Sequence, residues 1–174
     1  MGEGLSILYR AKQLYRALEA SIHPREGFPL EEYLSPRGVR LFRQMSPGDQ
    51  RRSLGAFRTL TERGWGNLEL LEAALLHDIG KGGGKLRIWH RVSITLLESF
   101  APGLLRRIAR DDPHSWRYPF FLHLCHAERG AALAESIGCS AEVVRLIAEH
   151  HRLPADDSLE MEKLRALQEA DASN

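Results

Sequence analysis

The stretch "LELLEAALLHDIGK", residues 68–81, limits what this chain can fold into more than any other part of it. As a helix it sets Leu68, Leu71, Leu75 and Asp78 on one face and Leu70, Ala74 and His77 on an adjacent one. From Leu68 to Ile79 it is apolar nearly all round, the mark of a helix that other helices must surround. A His-Asp pair closes the run. A carboxylate at the end of a buried helix is costly unless a positive group meets it, and a divalent cation shared by imidazole and carboxylate meets that need.

Helical periodicity dominates elsewhere too, with no sustained strand alternation. Leu5, Leu8, Tyr9, Ala11, Leu14, Tyr15 and Leu18 give a first amphipathic helix, which "HPREGFP" breaks. A short helix after "SPRG" carries Val39, Leu41, Phe42 and Met45. "SPGD" at 46–49 opens another, with Ser46 as cap, Pro47 at the first helical position and Asp49 at the positive end of the dipole. Asn67 caps the central run, and the glycines at 82–84 end it or form a mobile loop. "LRIWHRVSITLLESF", "PGLLRRIAR", "FFLHLCHAERGAALAESIG", "AEVVRLIAEHH" (capped by Ser140) and "SLEMEKLRALQEADA" complete the set. The expectation is an all-α, single-domain helical bundle, with residues 1–45 as an N-terminal helical extension packed on the core and residues 46–174 as one compact unit.

Length and composition narrow the classes. The 174 residues suit one domain with a proper core. A net charge of +1 gives no global field for nucleic acid or an anionic membrane. Cys125 and Cys139 form neither a CxxC pair nor a disulfide framework. No stretch reads as a signal peptide or reaches transmembrane length, so a cytoplasmic location is expected.

Several other polar residues fall on inward faces. His126 sits mid-helix, followed by Gly130 and Ala131, small residues that let a neighbouring helix come close; His123, one turn earlier, is its rival. His150 and His151 end a helix whose inner face carries Val143, Val144 and Ile147, and the register does not choose between them. Asp171 follows Leu164 and Leu167 on their face. Each alone has a bland explanation: a satisfied core histidine, a C-terminal His on the helix dipole, a solvated carboxylate. Together, on separate helices, they form a set a bundle can gather around a metal. Trp89 and Trp116 read as packing or rim aromatics more readily than as nucleobase platforms.

The motifs "ALLHDIGK", "HAERGAALAESIG", "LIAEHH" and "LQEAD" resemble the HD-domain superfamily, in the order found in small bacterial phosphohydrolases of that type. The resemblance covers roughly residues 46–171. It implies His77, Asp78, His126, His150 and Asp171 as ligands of one or two divalent ions (Mn, Fe, Co, Mg or Ni), with His151 as the alternative to His150. It also implies Lys81 at a substrate phosphate, and Asp78 and Lys81 as the catalytic pair. The absence of a GYP motif after the histidine pair sets cyclic-di-GMP phosphodiesterases aside.

One feature departs from the family pattern: Arg52 stands where a further histidine is expected, and a charged Arg is no metal ligand. Its guanidinium suits phosphate instead. The implied activity is metal-dependent hydrolysis of a nucleotide or other small phosphate ester or anhydride, with Lys81, Arg52 and Arg91 binding substrate and Arg87 a further candidate. The alternative is a catalytically weakened module that binds metal and a phosphate-containing ligand. Oxidative chemistry at a di-iron site is a third reading, which the missing ligand disfavours. The partners expected are a small phosphorylated substrate and, as an open alternative, a second copy of the chain, with neither membrane nor nucleic acid.

Overall fold

A computed structural model describes residues 28–82, 88–154, 156 and 158–174. The expected helix over residues 5–18, the glycines at 83 and 84, and Arg87 lie outside the described residues. Every regular element among those described is helical. The order is α1 (Leu30–Tyr33), α2 (Pro36–Gln44), α3 (Pro47–Glu62), α4 (Leu68–Leu76), a 3-10 turn (Ile79–Lys81), α5 (Ile88–Phe100), α6 (Pro102–Ile108), α7 (Tyr118–Ser136), α8 (Ala141–Glu149) and α9 (Leu159–Ala172). Among the described residues no helix is long and apolar enough to cross a membrane.

The helix starts are where the capping chemistry puts them. Ser35, Ser46, Asn67, Ser140 and Ser158 each accept a hydrogen bond from a backbone N–H three residues on. Pro36 and Pro47 occupy first positions, where a missing N–H costs nothing. Gly138 has a positive φ of 89° just beyond α7, the left-handed stop that glycine adopts without strain.

Helix α4 is the centre of the molecule. Leu70, Leu71, Ala73, Ala74, Leu75 and Leu76 are all buried, and α3, α8, α9 and α2 pack around them. Leu30, Leu34, Val39, Phe42 and Met45 belong to the same core as Leu54, Leu60, Leu146 and Leu167, so residues 30–45 are built into it. Each fully buried leucine contributes roughly 1.5–3 kcal/mol. A smaller apolar cluster of Ile94, Leu105 and Phe120 joins α5, α6 and the start of α7.

The central run departs from a single helix through Ile79. The α-helix ends at Leu76, His77 and Asp78 form its exit, and the chain tightens into the 3-10 turn. The reason lies at Gly80: a Cβ there would stand 1.9 Å from the His126 carbonyl oxygen and 2.7 Å from Gly130 N. Backbone therefore lies on backbone, and Gly130 completes the close approach from α7, with the His77 carbonyl oxygen 3.5 Å from the Cβ it lacks. This contact presses the His-Asp exit against the middle of α7.

Candidate metal centre

The exit of α4 places His77 and Asp78 inside the bundle, 0% and 1% exposed. His126 comes from the middle of α7 and is buried. His150 is the residue at which α8 ends, also buried, and Asp171 lies in the last turn of α9. Four elements thus bring the five expected side chains together. His77 Nε2 lies 3.2 Å from Asp171 Oδ1 and 3.6 Å from Asp78 Oδ2, and His126 Nε2 lies 3.6 Å from Asp78 Oδ1. The His77 and His150 rings are 5.3 Å apart, and those of His126 and His150 5.1 Å.

Three imidazoles are set in the same way. Their Nδ1 atoms lie 2.9, 2.6 and 2.7 Å from carbonyl oxygens three residues upstream: His77 on Ala74, His126 on His123, His150 on Ile147. A carbonyl only accepts, so each Nδ1 carries the proton, and each neutral ring turns the lone pair of Nε2 inward. His126 Nε2 then faces His150 Nε2 at 3.2 Å and His151 Nε2 at 2.9 Å. Acceptors this close repel unless a proton or a cation stands among them. The ligand-capable nitrogens of His126, His150 and His151 all lie within 4.8 Å of one another, a grouping a metal ion fits.

The polar accounts do not close within the protein. His77 Nε2, both oxygens of Asp78 and Asp171 Oδ1 are buried and complete no hydrogen bond. Lys81 Nζ stands 2.7 Å from Asp78 Oδ1 as an ion pair, and His77 faces Asp171 at 3.2 Å, yet these contacts lack hydrogen-bond alignment. Buried groups left in this state cost about 1–3 kcal/mol each. Their atoms aim at common ground, and a cation would satisfy them together. Imidazole and carboxylate donors suit the borderline divalent ions, and the Nδ1–carbonyl bonds are the usual support of a ligating histidine. The residues present fit a divalent metal.

The electrostatics agree. Burial by itself would raise Asp78, but His77 and Lys81 beside it hold its carboxyl far below the usual range. Burial, reinforced by Lys81, lowers His126 to about 2; burial with His77 and His151 lowers His150 to about 3. Both are neutral near pH 7, the state a ligand needs. Burial lowers His77, but the Asp78 and Asp171 carboxylates outweigh it and raise its pKa. A proton on Nε2 is one answer to that pair of carboxylates, and a divalent ion is another.

Comparison with protein-family models, curated proteins and solved structures finds no match.

Beside the cluster is an open cavity of about 180 Å³. Arg52, Lys81 and Arg91, the three residues expected to bind substrate, all line it. Arg52 sits on α3 with Nε 3.8 Å from Asp171 Oδ1, next to the cluster. Arg91 reaches across from α5 to the start of α3, donating to Ser46 Oγ at 2.8 Å and pairing with Asp49 at 3.4 Å. His123 does not join the other histidines: its Nε2 is 2.7 Å from Glu98 Oε1, on the cavity wall. His150 and His151 both reach His126, but His150 is buried and also faces His77, while His151 is exposed. Sequence reasoning did not find Glu98. Its signal was there: Arg91, Thr95 and Glu98 recur at helical spacing on one face of α5. Trp89 and Trp116 are 43% and 60% exposed, with the Trp89 ring stacked on His90 at 3.6 Å.

Proposed function

We propose that this chain is a metal-dependent phosphohydrolase of the HD-domain type, acting on a small phosphate ester or anhydride, with the cytoplasm as its place of work. The observation that carries the reading is the set of buried, unsatisfied His77, Asp78 and Asp171 atoms meeting inward-turned His126 and His150. His77, Asp78, His126, His150 and Asp171 would hold one or two divalent ions, with His151 at the open edge. When bound, such an ion supplies Lewis acidity toward water and phosphoryl oxygen.

The chain's own residues do the rest. Asp78 stays ionised beside Lys81 and so keeps a charged donor in the site. His77, His126 and His150 keep a proton on Nδ1, which leaves Nε2 to bind. Lys81 and Arg52 stand where the cavity meets the cluster, and their charges offset the negative charge that grows on phosphoryl oxygens in the transition state. Arg91, tied to Asp49 and Ser46, gives the cavity a fixed wall.

A second reading, a regulatory module that binds metal and a phosphate-bearing ligand without turnover, draws on Arg52, a charged group placed 3.8 Å from Asp171. One experiment separates the two. Purified protein is supplied with Mn, Co, Fe or Mg and screened against phosphate esters and nucleotides beside Asp78→Asn. Phosphate release that the variant loses supports the hydrolase. Release that survives in Asp78→Asn places the chemistry elsewhere, and saturable ligand binding without release favours the module.

A further inference from the structure

The cavity beside the cluster has two kinds of wall, and the difference bears on what it accepts. Lys81 and Arg52 face it from the cluster side. Lys81 is shared with Asp78 at 2.7 Å, whereas among the described residues the ion pair of Arg52 is the longer one from Nε to Asp171 at 3.8 Å. The terminal fork of Arg52 is thus open to an anion, and a phosphate carrying a charge of about −1.5 to −2 near neutral pH matches a guanidinium bidentately.

The α5 side is different. Arg91 is already matched by Asp49, and His123 by Glu98. Thr95 Oγ1 donates to the Arg91 carbonyl, which leaves its oxygen free to accept. This wall presents the Glu98 carboxylate, bonded to the His123 ring, and the Thr95 hydroxyl as acceptors, while Asp49 is taken up by Arg91 and Ser46. Such acceptors suit the hydroxyls of a sugar. The Glu98 carboxylate disfavours a second phosphate on this side, because like charges at close range repel each other. The volume, about 180 Å³, holds a phosphate and a small carrier.

We propose that the cavity selects a phosphate monoester on a small polyhydroxylated carrier, of the sugar-phosphate class, over a phosphoanhydride chain, with Arg52 as the residue that grips the phosphate. The inference narrows the hydrolase reading and rests on it for the reacting end of the site. Arg52 meets the phosphate in the bound state as well as in the transition state, so its loss is read in affinity for a non-reacting probe.

The test uses non-hydrolysable probes with metal-loaded full-length protein, and calorimetry as the readout. The probes are the methylene phosphonate of ribose, methylphosphonate and methylenediphosphonate. The expected order is the ribose phosphonate tightest, by about tenfold or more over each of the others, the loss typical when charge-assisted or buried hydrogen bonds go unmade. Arg52→Gln weakens the ribose phosphonate by about tenfold at unchanged metal content, and Arg52→Lys, which keeps the charge and loses the fork, recovers part of that loss. Methylenediphosphonate binding as tightly as the ribose phosphonate overturns the proposal. So does an Arg52→Gln variant with wild-type affinity. Metal content and phosphate release are measured on the same samples. Protein that releases no phosphate from any ester yet keeps this order and the Arg52 dependence sinks the hydrolase reading and leaves the ligand class standing.

Discussion

Three imidazoles in this chain solve one problem in one way. His77, His126 and His150 each fix Nδ1 on the carbonyl one turn back and present Nε2 to the interior. Because the ring is held by its own helix, Nε2 is placed in advance, and a cation bound there would spend little ordering entropy. His151 is exposed and its Nε2 meets His126 at 2.9 Å, so the two neighbours stand in different surroundings around the same group of nitrogens. Replacing His150 with Gln is expected to weaken metal binding by at least about tenfold and His151→Gln by clearly less, with affinities read by competition against a metal-sensitive dye. Equal losses would mean that the outer histidine is as much a ligand as the inner one.

At the scale of elements, the site depends on one bare contact. The 3-10 turn can lie on α7 only because residue 80 has no side chain, and a Cβ would meet the His126 carbonyl at 1.9 Å. Gly80→Ala is expected to cost roughly 3 kcal/mol in chemical denaturation, at the upper end of overpacking effects, and to abolish metal retention as the His-Asp exit is pushed off α7. A variant with unchanged stability and metal content would show that the turn packs otherwise. Much of this level was legible in the sequence. The Ser and Asn caps, the prolines at first positions and the glycine stop marked the helix boundaries locally, because capping is a matter of neighbouring residues. The convergence of the five polar side chains was legible because polar residues on apolar faces break a pattern. The unwinding at Leu76 was not, since "LLHDIGK" keeps helical periodicity and only the tertiary approach of α7 ends the helix. The link of Glu98 to His123 was hidden, because the face that Arg91, Thr95 and Glu98 share carries no mark of what packs across from it.

For the whole molecule, a buried polar cluster makes stability depend on protons and metal together. In chelated protein His126 and His150 titrate near 2 and 3 when folded, and near 6.5 in the unfolded chain. The unfolded state thus takes up protons that the folded state refuses, so stability falls as pH drops below about 6.5, by up to about 1.4 kcal/mol per pH unit for each group. His77 is shifted upward and works in the opposite sense: its contribution grows as pH falls toward about 6.5 and is complete below that, so it counts against the loss only in a comparison that starts above 6.5. Metal-free protein is expected to melt at lower temperature at pH 5.5 than at pH 7.5. A melting temperature that rises on acidification would show that His77 dominates the balance. A metal that binds the folded state alone would stabilise it by mass action, so the melting temperature should climb with ion concentration. The central claim is that His77, Asp78, His126, His150 and Asp171 converge on a shared cation, and elemental analysis of protein purified without chelators tests it most directly. The account predicts about one to two equivalents of a divalent transition metal, lost in Asp78→Asn. Protein that carries none, and whose melting temperature does not move when Mn, Fe or Co is added, would contradict it.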